Sequence, residues 1–541
     1  MKIFILALFI SGFIANSFAQ VTEEWVRKYN GPANSFDIVS RLKIDGAGNV
    51  YVYGTSSGQG TLSDFVIIKY KPTGEVIWTQ RYNSPTDQSD QINSACIDNA
   101  GNSYITGFTT DSTFTPNVTT CKYDSSGNMQ WLKVFILKDY TTGFGQDITI
   151  DNSGNVIVAG FMRNAQSNYD CVTIKYTKDG DQIRSTVYDG SKDDIAVSLA
   201  TDNADNIIIA TEIKNQQNNF DAAVIKYDSS GLFKFVKAFN GSRQNDDKAA
   251  SVLTDDMNNI FLCGSTVNTQ SSLDYFYAKL DPAGVVQWTG DHNGTGNDID
   301  IALSMAIDAA SNIYITGYSR SDTVIGSEDM LTMKINSSGN VQWRSVHNGT
   351  GNGIDQGNSV QVDNSGNVFV GGASDIGGAS VVYALLKYSA QGALTWKRTY
   401  QLANQPEDFL YSVTLNNSDI YVTGIALDSL TDFDIVTVKY SQQVGIVIVN
   451  TNQPEHFTLD QNYPNPFNPV TNLGFGISEL GLVTLKIYDI RGKETAVLVN
   501  EVKSPGSYQV EWDAADFPSG VYFYTLETPD FKETKRMMLL K

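Results

Sequence analysis

The stretch 151-DNSGNVIVAG-160 decides the fold, because it can be read in two ways. Asp151, a run of small polar residues, Gly154 and Asn155 look like a loop that wraps a calcium ion. The same residues also make a tight turn leading into a strand. Aligned on its final Gly, the stretch recurs at Gly54, Gly107, Gly160, Thr211, Gly264, Gly317, Gly372 and Gly424, at intervals of 51 to 55 residues. A second marker, the end of DFVIIKY, recurs at Tyr70, Tyr123, Tyr176, Tyr227, Leu280, Ile335, Tyr388 and Tyr440. A third is an aromatic at Trp25, Trp78, Trp131, Phe235, Trp288, Trp343 and Trp396, interrupted by Arg184. Three markers in register with a period near 50 mean a propeller, a solenoid or an array.

Each unit reads as four strands, A to D. In the first unit these fall near Ile38–Ile44, Val50–Tyr53, Phe65–Tyr70 and Val76–Tyr82. Strands B and C are almost continuously apolar, the pattern of strands covered on both faces, and four short antiparallel strands packed face to face make a propeller blade. Trp25 lies in a D-type strand with no A, B or C before it, while the last unit ends at Tyr440 without a D. The N-terminal strand therefore completes the last blade. The reading is an all-β chain with an eight-bladed propeller, seven blades being the alternative.

Comparison across copies answers the calcium question. Asp holds the first place in seven copies (Asp45, Asp98, Asp151, Asp202, Asp255, Asp308 and Asp363), with Leu415 in the eighth. The fourth place holds Gly48, Gly101, Gly154, Asp205, Asn258, Ser311, Gly366 and Ser418. A Ca²⁺ loop needs several oxygen ligands, usually with more than one carboxylate. Most copies offer one carboxylate and then small neutral residues, so the motif reads as a turn in which Asp bonds backbone N–H groups. No cofactor is expected, calcium being the outweighed alternative.

The repeat, quoted as VDNSGNVFVGG…LLKYSAQGALTW, resembles the secreted bacterial repeat called the seven-bladed β-propeller-type (SBBP) repeat, over roughly residues 22–440. That resemblance implies the fold and says almost nothing of activity, since propellers host many functions.

The ends carry an address. Residues 1–20, MKIFILALFISGFIANSFAQ, read as a signal peptide: Lys2, a short apolar stretch, then Ser17-Phe18-Ala19 as a cleavage site. No other stretch approaches the ~20 apolar residues of a membrane helix. The four cysteines, Cys96, Cys121, Cys171 and Cys263, fall at different strand positions and read as buried free thiols. The net charge of −21 argues against nucleic acid, which needs a basic surface.

After Tyr440 the period stops. Residues 441–454 read as a linker, and residues 455–541 as about seven short strands forming a small immunoglobulin-like β-sandwich. The elements NYPNPFNP, LKIYDIRGK, YQVEWDA, SGVYFYTL and a basic end with Lys535, Arg536 and Lys541 resemble the type A C-terminal sorting domain of the type IX secretion system. The resemblance implies export across the outer membrane, recognition of residues 455–541 by that machinery, and often cleavage with surface attachment.

Candidate chemistry is sparse. A second Asp series precedes strand A, at Asp37, Asp90, Asp194, Asp247, Asp300 and Asp355, and a third precedes strand C, at Asp64, Asp170, Asp221, Asp274, Asp329 and Asp434. Strands A and C run the same way, so both series lie on the face where the variable D→A and B→C loops emerge, and loops on a rigid scaffold are where binding sits. The six acids before strand A are therefore the candidate binding residues, with capping of backbone N–H groups as their structural alternative. His292 and His347 occupy repeat positions held elsewhere by Tyr29 and Tyr188, and no nucleophile, zinc or P-loop pattern occurs. No catalytic or metal residue is named. The expectation is a secreted or surface-attached binding scaffold for an extracellular glycan or protein. The alternative is an extracellular polysaccharide hydrolase or lyase using loop-face carboxylates.

Overall fold

The computed structural model describes residues 21–540 except 244, 269–271, 297, 321–326, 379, 402–406, 443–446, 451–453 and 515–516. Residues 1–20, read as a signal peptide, lie outside the described residues. The chain divides into two compact units, Glu23–Tyr440 and one containing Ser441–Lys541.

The first unit consists of eight four-stranded antiparallel sheets. In blade one the strands are Asp37–Ile44, Val50–Ser57, Ser63–Tyr70 and Val76–Tyr82, paired in that order. Blade eight joins Asp408–Asn416, Asp419–Asp428 and Asp432–Gln442 to the N-terminal strand Val21–Tyr29. The first strand of every blade packs against those of both neighbours, blade eight against blade one included, so the ring closes with eight. The seven-blade alternative is thereby corrected.

The core lies between blades rather than at one centre. Tyr51, Tyr53, Phe65 and Ile67 of blade one pack on Ile92, Ile105 and Cys121 of blade two. That is why strands B and C are buried almost throughout, each fully buried Val or Ile contributing about 1.5–3 kcal/mol.

The sequence markers are the fastenings of this arrangement. Trp78 donates its indole N–H to the carbonyl of Ser125 in the next blade (3.2 Å), lying over Gly127, whose φ is 88°. Trp25, Trp131, Trp288 and Trp343 repeat the bond at 3.0–3.2 Å. Arg184, which breaks the aromatic series, makes the same bond to Ser229 O at 2.7 Å.

The glycine that ends the motif has a different cause. All eight first strands carry a β-bulge opposite the motif's final position, as at Val39/Arg41 and Gly145/Asp147. The bulge drives a first-strand carbonyl toward the facing position, where a Cβ on Gly160 would collide with Phe144 O. Thr211 meets the same carbonyl differently, donating its hydroxyl to Ile195 O at 2.9 Å.

The opening motif is a turn. Asp151 accepts the backbone N–H of Asn155 (2.8 Å), and Gly154 has φ 80°. In the eighth copy the left-handed residue is Asn417 (φ 55°) rather than Ser418, because Asn416 and Asp419 pair directly across a two-residue hairpin. All four cysteines are free thiols.

The second unit is a β-sandwich of two four-stranded sheets. One contains Val470–Ile477 and Gly506–Asp513, the other Gly481–Tyr488 and Gly520–Thr528. Phe475, Val510 and Trp512 of the first share a core with Leu485, Tyr524 and Leu526 of the second. Val447–Asn450, read as linker, instead forms a strand on Gly506–Asp513, because an edge strand leaves backbone groups free to accept one. Among the described residues no helix is long and apolar enough to cross a membrane.

Candidate functional site

The six acids before strand A start on backbone. Asp37, Asp90, Asp194, Asp247, Asp300 and Asp355 are 0–1 % exposed. Each accepts an N–H from its own D→A loop: Gly31 (2.5 Å), Ser84 (2.6 Å), Gly190 (2.6 Å), Gly241 (2.9 Å), Gly294 (2.6 Å) and Gly349 (2.8 Å). The other oxygen of Asp247, Asp300 and Asp355 accepts an N–H from the second strand, at Val267 (2.8 Å), Arg320 (3.1 Å) and Asp375 (3.2 Å). These acids hold the loops; their own oxygens face inward. Burial raises all six carboxyls above the ordinary range, Asp37 and Asp247 to about 6 and Asp194 to about 7.

The third Asp series meets the second across blade boundaries. The N–H of Asp90 bonds Ser63 O at 2.7 Å, and that of Asp247 bonds Phe220 O at 2.7 Å, each carbonyl one residue before the preceding blade's strand-C Asp. Asp64 is paired with Arg81 (2.7 Å) and Asp434 with Lys28 (2.7 Å). Asp170 accepts from the hydroxyl of Tyr140 (2.6 Å), and Asp221 from the Asn215 amide (2.8 Å). At the blade three–four boundary, Asp170, Asp189 and Asp194 bring carboxylate oxygens within 4.8 Å of one another, with only Asp189 exposed.

The outer surface of this face is what the acids hold up. Phe114 (73 % exposed), Ile136 (75 %) and Leu430 (86 %) stand at loop tips, with Phe36 tilted against Phe433 at 5.9 Å. Phe114 has φ 62°, a conformation that a bulky side chain rarely adopts. Its turn is fixed by the Asp111 carboxylate, which accepts N–H bonds from Thr113 (2.8 Å) and Thr115 (3.1 Å). A row of half-buried rings, Phe108 on the second strand of blade two and Phe144, Phe161 and Tyr169 on the first three strands of blade three, has successive centroids 5.2–5.3 Å apart. Ile136 and Phe144 fall in 135-FILKDYTTGFGQ-146, which stands out in the sequence as the most individual loop; the others carry no such mark. Their signal is a large apolar residue breaking a polar loop, visible only once the loops are known to share a face.

His292 and His347 lie on the last strands of two different blades. Burial lowers both His292 and His347 to about 4, keeping them neutral, and His347 Nε2 lies 3.2 Å from Ser374 Oγ.

Comparison with known proteins assigns the second unit. Residues 461–540 match the family described as the secretion system C-terminal sorting domain. This sorting domain implies export by the type IX secretion system and surface attachment. The chain is similar to an uncharacterized WD repeat-containing protein of Acanthamoeba polyphaga mimivirus, 28 % identical over 203 residues, 32 % of this chain. The match spans only 12 % of that relative's length. Similar solved structures include a copper-bound fungal alcohol oxidase (11 % identity, 96 % of this chain and 100 % of that one, TM-score 0.39). Others are a polysaccharide lyase (8 %, 67 % and 91 %, TM-score 0.38) and the Drosophila Semaphorin 1b extracellular domains (8 %, 65 % and 87 %, TM-score 0.36). At this level of likeness, nothing about ligand or activity carries across.

Proposed function

We propose that the protein is a binding scaffold of the SBBP repeat kind, secreted through its signal peptide and displayed at the cell surface. The type IX machinery takes residues 455–541, and the loop face of the propeller binds an extracellular glycan or protein. The observation that carries this reading is Phe114: an aromatic held outward in a strained conformation by an Asp turn, with nothing gained in packing. Strain of this kind, about 1–3 kcal/mol, persists where function retains it. The aromatic row Phe108–Phe144–Phe161–Tyr169 adds a surface on which a pyranose ring or an apolar side chain stacks.

The test is a glycan and protein array probed with the secreted chain and its Phe114→Gly variant. Glycine relieves the φ strain and removes the ring, so the variant melts no lower while losing ligand retention. Equal retention by both proteins refutes the role given to Phe114. The second reading, cleavage of an extracellular polymer, draws on Asp170, Asp189 and Asp194, and turnover in a polysaccharide-hydrolysis screen would establish it.

A further inference from the structure

The repeat contains its own comparison for one cavity. In blade one, Arg81 sits three residues after Trp78, and its guanidinium fills a polar nest on the loop face. It bonds Asp64 Oδ2 (2.7 Å), the carbonyls of Ser56 (3.1 Å) and Ser57 (3.3 Å), the Ser56 hydroxyl and the hydroxyl of Tyr29 from the preceding blade (2.9 Å). Lys28 takes the same place in blade eight, against Asp434 at 2.7 Å. In both blades a basic side chain of the chain itself is the occupant.

Blade five has the nest without the base. Strand pairing sets the correspondence: Val66 faces Arg81 in blade one, and Phe276 faces Asp291 in blade five. Asp274 stands for Asp64, Thr266 for Ser56 and Phe239 for Tyr29. Where the guanidinium would lie there is a pocket of about 290 Å³, lined by Phe239, Thr266, Asn268, Phe276, Gly290 and Asp291 among others. That volume is at the lower end for small-molecule sites, the size of a single side chain.

The charge has also been reversed. Asp291 replaces the base with an acid, is exposed, and forms no ion pair among the described residues. Asn268 Nδ2 lies 3.4 Å from Asp291 Oδ2 and 3.2 Å from Asp274 Oδ2, so one amide reaches both carboxylates. Phe239 and Phe276, with centroids 5.0 Å apart, form the apolar wall. The Asp291 carboxylate and the aromatic wall together suit a planar cation. The chain's net charge of −21 favours approach of a basic partner.

We propose that this pocket receives the guanidinium of an arginine side chain presented by a protein partner, completing in trans what Arg81 completes in cis. The proposal rests on the loop face being a binding face, and names the chemistry of one partner group there.

The test is calorimetric titration of the full secreted chain with acetyl-Gly-Arg-Gly-amide and with its citrulline counterpart, which is isosteric and uncharged. The arginine peptide binds saturably and the citrulline peptide does not. Asp291→Arg supplies a tethered guanidinium and abolishes binding. Asp291→Asn weakens it about tenfold or more, the loss expected for one hydrogen bond to a charged group. Asparagine keeps the shape of the side chain, so this variant carries the test if Asp291→Arg fails to fold. Equal binding of the two peptides, unchanged binding by the variants, or no saturable binding of the arginine peptide each overturns the proposal. The same variants on the glycan and protein array separate the two readings. Array ligands retained by Asp291→Arg leave the binding face intact and remove only the pocket, whereas an array with no ligand at all removes the wider reading.

Discussion

Lys175 Nζ lies 2.7 Å from Asp151 Oδ2, with side chains 7 % and 0 % exposed. This pair joins the two repeat markers, the Asp of the turn and the Lys of the KY strand end, within one blade. Lys226–Asp202 (3.0 Å) and Lys69–Asp45 (3.5 Å) repeat it. Burial alone would raise the Asp151 carboxyl; hydrogen bonds from Lys175 and Asn155 hold it below the ordinary range.

Breaking the pair on one side strands a buried charge. Lys175→Ala is expected to destabilise the propeller by about 3–5 kcal/mol, and Lys175→Met with Asp151→Asn to recover most of it. Denaturant melts of the single and double variants check this; a double variant no better than the single would contradict it.

Gly127 is constrained twice. Its φ is 88°, and a Cβ would stand 2.8 Å from Trp78 Cδ2. Gly60 has the same φ of 88° with nothing within 4 Å. Gly60→Ala should therefore cost about 1–2 kcal/mol in backbone strain, and Gly127→Ala about 1–3 kcal/mol more. Thermal melts of the two variants isolate the indole contact, and equal shifts would exclude it.

Stability should peak in mild acid. Asp37 and Asp247 (about 6) and Asp194 (about 7) are raised by burial above the unfolded value near 3.9. Between those values the folded chain holds more protons, so their contribution falls as pH rises from about 4 to about 7. Asp45, Asp151, Asp202 and Asp255 are lowered, so their contribution is present above about 4 and lost as pH falls through the folded values. Melting temperature measured from pH 3 to 8 is expected to be highest near pH 4–5. A steady rise toward pH 8 would show that the blade-boundary acids are ionised at little cost.

The N-terminal strand closes the ring. Trp25 donates to Pro72 O (3.0 Å) in blade one, and Lys28 pairs with Asp434 in blade eight. Removing residues 21–30 exposes the edge of Asp432–Gln442, a template for intermolecular pairing. Light scattering after size exclusion should then show self-association and loss of the single melting transition; a monomer with parental melting would mean the ring closes without its latch.

Repetition made the architecture legible before any coordinates. Three markers in register imply blades, and an orphan Trp25 strand at one end with a missing one at the other implies closure. Each marker is local and recurs, so chance departures such as Thr211, Arg184 and Leu415 do not hide it. The sequence-level reading of Asp151 as a turn was also within reach, because the carboxylate count in one loop can be read directly.

Which way a side chain faces was not within reach. Asp37 and its five counterparts lie on the expected face but point inward onto backbone N–H groups, because the bulged first strand and the D→A loop leave donors there that only a buried acceptor can satisfy. Asp291 and Arg81 occupy one repeat position, yet only the fold shows that the arginine fills a nest and the aspartate leaves one open. Composition, period and address are properties of the chain and follow from its order. Pairing of Lys175 with Asp151 needs the strands of one blade to assemble, and the pocket beside Asp291 needs two blades to pack, so both belong to the tertiary structure.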